Sequence, residues 1–434
     1  MTRTPHRRHG AGFFVVAALL ALAACSTQDY PNTTFTHNSD LNVDVNALWD
    51  RVLFMATGVF IVVEAILVFT IFKFRAKPGA PMPKQIHGNH VLEIVWTMIP
   101  VFILIPLAIP TVKTIFKTQA PAPAGSLQVE VYGHQWWWEF RYPQYGVTTA
   151  NELYIPTGKT VNFTLRTVDV LHSFWAPGLG GKRDLITNKT NYLWYTPNAD
   201  LAEQVFNGFC TEYCGSSHAN MRLRVYTVKP ENFESWAAHQ KAGAEGSPAL
   251  IAAQKTADSI AKKAPAKAAI VPTPGGAPSA PVMNTGYVFP AANLKAHNIP
   301  RTPIPASMKF DDGLLAQGDA AAGHALVTNP VNMGKAPCLT CHLIRGEQAF
   351  LTDDNAKGPN LTHVASRHTF AGGLFPSNPA NLARWIKNAT AMKPGATMTT
   401  FGIGEYSSLM KAKVTAGLTD KEIADIVAYL MTLK

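Results

Sequence analysis

The sequence predicts a multidomain chain: a two-helix transmembrane hairpin, then an all-β sandwich, then a small all-α domain. Three observations predict it. Two long apolar stretches flank a short basic loop, the middle of the chain alternates apolar and polar residues in short runs, and the last part combines a Cys-x-x-Cys-His segment with an amphipathic helical pattern. At 434 residues the chain has room for two or three domains that each bury a core. Only 15% of residues are charged and 47% are hydrophobic, a balance that leans toward membrane attachment. The formal net charge of +10 is spread over a leader, a loop, a linker and domain surfaces. That distribution offers no basic, aromatic-interleaved groove and excludes nucleic acid as a partner, favouring anionic lipid or an acidic protein instead.

The elements follow in order. Residues 1–25 carry Arg3, Arg7 and Arg8, an apolar run from Phe13 to Leu22, and Ala23-Ala24-Cys25, the layout of a secretory signal. Leu22-Ala23-Ala24-Cys25 also resembles the bacterial lipoprotein box, in which cleavage leaves Cys25 as a lipid-modified N-terminus. Residues 26–118 then form an exported segment and the hairpin. Val52 to Phe72 is apolar apart from Glu64, and a second stretch runs from Val91 to Phe116 through Pro100, Pro106 and Pro110; each is long enough to cross a hydrocarbon core at about 20 residues per span. Lys73, Arg75, Lys77 and Lys84 between them make a positive loop that belongs in the cytoplasm, so both ends of this two-pass hairpin face outside a bacterial plasma membrane. Glu64 reads as a packing or hydrogen-bonding group toward a partner helix rather than a proton carrier. Glu93, near the cytoplasmic end of the second span, reads on chemistry alone as solvated.

Residues 119–232 read as a β domain. Leu127, Val129 and Val131 alternate with polar residues, as do Val161, Phe163 and Leu165, and then Leu223 and Val225, which predicts short antiparallel strands packed as a sandwich or barrel. Gly208 to Met221 contains Cys210, Cys214, His218 and Met221 at short intervals, so one loop can turn four soft or borderline donors to one point. His172 stands where another strand ends. Five side-chain donors exceed what a tetrahedral structural zinc needs, and the set points to copper. Trp136, Trp137 and Trp138 between the first two strands read first as core and interface packing.

Residues 233–305 are rich in Ala, Pro and Lys and predict a flexible linker, with a helical tendency around 250–263, that lets the separation of its two flanking domains vary. Residues 306–434 form the last domain. Cys338-Leu339-Thr340-Cys341-His342 has the spacing for covalent haem attachment, both thiols bonding the haem and His342 ligating the iron. A plain Cys-x-x-Cys redox pair is the competing reading, which the adjacent His342 disfavours. Met398, on the Pro/Gly segment Lys393-Pro394-Gly395-Ala396-Thr397, supplies a distal thioether, with Met392 an alternative on chemistry alone. Thr419 and Glu422 open an amphipathic helix through Ile423, Ile426, Val427 and Leu430 with a capping box. The five cysteines thus divide into one lone residue and two close pairs, a pattern of cofactor chemistry rather than disulfide staples.

Taken in this order, the parts resemble subunit II of bacterial haem–copper cytochrome c oxidases, in the form with a cytochrome c domain fused at the C-terminus. Three motifs carry the resemblance: Cys210-x-Glu212-x-Cys214-x-x-x-His218-x-x-Met221 with His172, Gly133-His134-Gln135-Trp136, and Leu92-Glu93-x-x-Trp96-Thr97. It implies a cupredoxin-like β domain and a dinuclear copper centre, CuA, held by His172, Cys210, Cys214, His218, Met221 and the backbone carbonyl of Glu212. The Glu212 carboxylate would reach a magnesium shared with subunit I. It further implies Trp136 as the point of electron entry and Glu93 as the mouth of a proton path. The resemblance breaks at Thr187-Asn188-Lys189, where the family reads Pro-Gly-Arg after the aspartate matching Asp184.

The implied function is electron transfer. An outside donor, a cytochrome c or a quinol–cytochrome c reductase, would reduce covalently bound haem c, and electrons would pass through CuA to subunit I for proton-pumping oxygen reduction. Subunits I and III are the expected partners, and the oxygen chemistry belongs to the complex, because neither span carries histidines for haem or copper. Two rival readings stay open on the residues: a CuA-containing membrane nitric oxide reductase subunit, and a copper-binding or delivery lipoprotein without a catalytic partner.

Overall fold

The computed structural model describes residues 30–79, 81–244, 286–329, 335–347 and 351–434. Cys25 with the leader, and the helical tendency expected around 250–263, lie outside the described residues. Helix α1 (Asp40–Lys73) starts at an N-cap, Ser39, whose hydroxyl accepts from the Asn42 amide at 3.2 Å. Helix α2 (His90–Gln119) starts at Asn89, whose side chain accepts from Val91 and Leu92, and it carries Pro100, Pro106 and Pro110 in its interior. The most apolar stretch of each helix is uncovered by protein, as a lipid-facing span requires. α1 begins well before the expected Val52. Its polar first turns are not membrane residues; they dock on the β domain, where Asp40 Oδ1 accepts from the Thr196 amide at 2.8 Å and Leu41 enters the core.

The β domain has ten strands: β1 (Leu127–His134), β2 (Trp137–Tyr142), β3 (Val147–Ala150), β4 (Glu152–Pro156), β5 (Val161–Thr167), β6 (His172–Trp175), β7 (Arg183–Leu185), β8 (Asn191–Tyr195), β9 (Gln204–Cys210) and β10 (Arg222–Val228). They form two five-stranded sheets, ordered β3-β2-β1-β5-β8 and β4-β10-β9-β6-β7. Alternation along β1 puts Leu127, Val129 and Val131 into the core between the sheets, where Trp138, Phe140, Phe163, Phe174 and Leu223 meet them. The expectation of purely antiparallel pairing is corrected: β1 runs parallel to β5 and β4 parallel to β10. Alternation decides which face of a strand is buried, not which strand lies beside it.

The expected linker boundary at 233 is also corrected. Helix α3 (Pro230–Lys241) belongs to the β domain, with Phe233 and Trp236 in its core and Trp236 stacked on Tyr154 at 4.5 Å. Phe289 returns to the same core against Tyr226. The C-terminal domain is built on α4 (Ala320–Thr328), α5 (Pro379–Lys387) and α6 (Asp420–Leu430). α6 opens with the expected Thr419/Glu422 capping box and buries Ile423, Ile426, Val427 and Leu430. α4 packs on α6 so closely that a Cβ on Gly323 would lie 1.9 Å from the Asp425 carbonyl oxygen, so only glycine fits there.

The two domains are docked, whereas the linker composition predicts a variable separation. Buried Glu152 of the β domain accepts from the His368 and Thr369 amides at 2.9 and 2.7 Å and from the Thr369 hydroxyl. Arg141 reaches the Asp354 carboxylate and the Asp353 carbonyl, and Arg345 donates to the Gln240 and Lys241 carbonyls at the end of α3. Buried charge that finds partners across a seam holds that seam closed, because separating the domains strands each group without them.

Candidate metal centres

The first centre is made where strands β6, β9 and β10 end together. His172 opens β6 and is fully buried, and it fits only because Gly133 on β1 lacks a side chain: a Cβ there would lie 2.6 Å from the imidazole. β9 ends at Cys210. The chain then loops through Cys214 and a single turn at His218–Asn220 before β10, closed by the Cys210 amide on the Met221 carbonyl at 3.0 Å. The Thr211 amide donates to the Ser173 carbonyl, also at 3.0 Å, and ties the loop to β6.

The predicted donors converge. Cys210 Sγ and Cys214 Sγ are 3.8 Å apart, well beyond a disulfide bond. His172 Nδ1 lies 3.8 Å from Cys210 Sγ, and His218 Nδ1 lies 3.6 Å from Cys214 Sγ. Met221 Sδ is 3.9 Å from Cys214 Sγ, and the Glu212 carbonyl oxygen is 3.2 Å from Cys210 Sγ. Each sulfur therefore has one imidazole and one weak donor, thioether or carbonyl, close to it. A single tetrahedral ion would leave two of these six donors idle, whereas two soft ions sharing both thiolates use them all. The residues fit a dinuclear copper centre.

One residue that sequence reasoning missed completes the site. Asp169 Oδ1 accepts from His172 Nε2 at 2.8 Å, which fixes the tautomer and leaves Nδ1, facing Cys210, as the donor. The same carboxylate accepts from the Gln135 and Val170 amides, both at 2.7 Å. Burial works against its charge, but these bonds, His172 foremost, hold Asp169 below the usual carboxylate range. The contact with Cys214, and then His172, pulls the Cys210 thiol down despite burial; the same contact pushes Cys214 upward. The signal available was an aspartate three residues before a ligating histidine.

Trp136 is bound to this loop. Its indole N–H donates to the Cys214 carbonyl at 3.0 Å, and the Gln135 side-chain amide donates to the same oxygen at 2.7 Å. Gly215, with φ of 114°, admits the ring, since a Cβ there would lie 3.0 Å from the indole. Packing alone accounts for Trp138, a core residue at 0% exposure, but not for Trp136. Thr187-Asn188-Lys189 still makes a tight turn bridged from Ile186 to Lys189, with Asn188 in the left-handed region (φ 61°).

The second centre lies in the C-terminal domain. Cys338–Thr340 forms one turn, and the His342 amide donates back to the Cys338 carbonyl at 2.9 Å. His342 Nδ1 lies 2.8 Å from the Pro359 carbonyl, which can only accept; Nδ1 therefore carries the proton and Nε2 is left to bind a metal. A Cβ on Gly358 would lie 2.5 Å from the imidazole, so Gly358-Pro359 forms the seat of His342. Met398 packs in the cluster that contains Cys338 and Leu339, whereas Met392 is buried in a separate cluster with Phe370, Leu374 and Phe375. These residues fit a haem attached at Cys338 and Cys341 with His342 and Met398 available to the iron. Glu93 is elsewhere, in the first turn of α2, with its carboxylate near the Asn89 amide (3.3 Å) and His90 (3.4 Å).

Residues 18–114 match the family model for the cytochrome c oxidase subunit II transmembrane domain, and residues 146–228 the model for its periplasmic domain. Residues 320–434 match the cytochrome c model. Cytochrome c oxidase subunit 2 of Bacillus subtilis is 38% identical over 382 residues, covering 85% of this chain and 82% of the relative. The chain belongs to the cytochrome c oxidase subunit II family. The subunit 2 of Alkalihalophilus pseudofirmus is 28% identical, covering 87% of this chain and 83% of its own. The crystallised periplasmic domain of subunit II of cytochrome oxidase from Bradyrhizobium japonicum is 28% identical and covers 28% of this chain and 97% of that one, with a TM-score of 0.26. As a subunit II, the chain is one part of a cytochrome c oxidase complex.

Proposed function

We propose that this chain is the electron-transfer subunit of an oxygen-reducing, proton-translocating cytochrome c oxidase. Cys338 and Cys341 would hold a covalently attached haem c, with His342 and Met398 offered to its iron, and the group would supply a site that takes electrons from an outside cytochrome c or quinol–cytochrome c reductase. His172, Cys210, Cys214, His218, Met221 and the Glu212 carbonyl would hold a dinuclear copper centre, which would supply a one-electron carrier toward subunit I. The observation that carries this reading is the seam between the two centres. The segment leading to Met398 rests on Trp136, and Trp136 is hydrogen-bonded to Cys214.

Around that seam the chain's own residues hold and orient. Asp169 keeps His172 in the ligating tautomer, Pro359 does the same for His342, and Trp136, bonded to the Cys214 carbonyl and covered by Gly395, is the entry point. The Glu212 carboxylate is assigned to a magnesium shared with subunit I, and Glu93 to the mouth of a proton path. Lys73, Arg75, Lys77 and Lys84 keep their loop cytoplasmic, with both globular domains outside. Subunits I and III complete the assembly, and Cys25 is the lipid-attachment residue. Purification in mild detergent tests the reading. Co-purification with a large haem-bearing subunit and oxygen uptake from reduced cytochrome c are expected; a solitary protein without oxygen uptake would refute it.

A further inference from the structure

Among the described residues Lys393 is the most deeply buried lysine, at 3% exposure. A lysine ammonium is a compact, strongly hydrated charge, and burying one costs several kcal/mol unless its donors are satisfied. Among the described residues no carboxylate lies within ion-pair distance of it. Its Nζ instead donates to two backbone carbonyls: Trp136 of the copper domain at 2.5 Å and Ala371 of its own domain at 3.0 Å. Burial pushes the amine down to about 7, with Cys214 acting in the opposite direction; both amine and ammonium have enough donors for two carbonyls.

The space around this contact is built for it. Ala371, Gly372 and Gly373 all lie in the left-handed region, at φ of 55°, 78° and 73°. A Cβ on Gly372 would lie 2.7 Å from Lys393 Nζ and 3.0 Å from the Trp136 carbonyl oxygen, so glycine is needed where the three meet. The Gly372 carbonyl accepts from the Arg222 amide at 2.9 Å, which fixes this turn to β10, the strand leaving the copper loop.

The next two residues also grip the copper domain. The Pro394 carbonyl accepts from the Ser217 hydroxyl, inside the loop between Cys214 and His218. Gly395, at φ 82°, lies flat on the Trp136 ring, where a Cβ would come within 2.8 Å of it. Met398 follows three residues later. Three consecutive residues of the haem-domain segment thus hold the backbone, the hydroxyl and the indole face of the copper domain.

We propose that Lys393 is a positioning residue: its bond to the Trp136 carbonyl seats the Met398 segment on the indole and so sets the rate of electron transfer from the haem to the copper centre. This rests on the electron-transfer reading above. Transfer between fixed centres falls off exponentially with separation, so a segment that lifts from Trp136 slows transfer even when both centres are fully loaded.

The test uses the detergent-purified complex, with the visible haem band and the near-infrared copper band as loading controls. A photoreductant reduces the haem, and its reoxidation is followed together with copper reduction. Lys393→Met is expected to slow that step at least about tenfold, by analogy with the cost of misplacing reacting groups by roughly 1 Å. In steady state kcat should fall while KM for reduced cytochrome c stays unchanged, because Lys393 is buried between the two domains. Ser217→Ala, a milder change on the same segment, should slow transfer several-fold, and it decides the matter alone if Lys393→Met does not load. Wild-type rates in the loaded variants overturn the proposal alone. Copper that stays oxidised in the wild-type complex while the haem is reduced overturns the electron-transfer reading as well.

Discussion

The two centres are supported in different ways. The copper loop is closed by the ends of β9 and β10, tied to β6, and its histidine is oriented by a carboxylate from the same domain. The haem segment is carried on loops: His342 Nδ1 donates to the Pro359 carbonyl, and the segment leading to Met398 is held in part from across the seam by Trp136 and Ser217. A site built on strand ends is fixed by its own fold, while a site built on loops borrows rigidity from its neighbour. The contrast predicts that insults to the seam reach the haem domain first and leave the copper loop intact.

Acid should give the largest effect. His363 Nε2 donates to the Ala242 carbonyl at the end of α3. Burial first, aided by nearby His239 and Arg367, lowers His363 from 6.5 to about 4. Between these values the unfolded chain binds a proton that the folded one does not, so stability is lost as pH falls through that window and the loss levels off below it. The change should approach about 3 kcal/mol, read from denaturant unfolding of the purified chain at each pH. A flat profile would place His363 outside the stabilising seam.

Asp169→Ala tests the other side of the contrast. Without its carboxylate His172 loses its tautomer lock, and copper affinity should fall about 10- to 100-fold in a chelator competition while the haem band is unchanged. Glu152→Ala strands three donors of the haem domain and should cost about 1–3 kcal/mol of docking, seen as faster hydrogen exchange at the His368 and Thr369 amides. The smallest stability change belongs to Met398→Leu, under about 1.5 kcal/mol for a volume-conserving swap, yet this variant alone should alter the haem spectrum. Met392→Leu should leave the spectrum as it is; the reverse result would exchange their roles.

Much of the copper loop was legible because its donors are close in sequence and chemically distinctive. Cys210, Cys214, His218 and Met221 needed only a turn to meet, and His172 needed one neighbouring strand. Asp169 was not legible, since a carboxylate on a loop is ordinary until its partner's orientation is known. The strands were readable from alternation, but the parallel pairs β1/β5 and β4/β10 were not, because period two says nothing about neighbours. The first turns of α1 are polar and fell outside a hydrophobic window. The seam was the least visible feature. Glu152, Arg141 and Lys393 are single charged residues, each far in the chain from its partner across the seam and each expected at a surface, and a linker poor in large apolar residues suggested separation between domains that are in fact docked.

Metal analysis of the purified complex tests the central claim most directly. Two soft ions sharing two thiolates, together with one attached haem, predict about two copper ions and one haem iron per chain. One zinc in place of the copper, with Met221 idle, would contradict it.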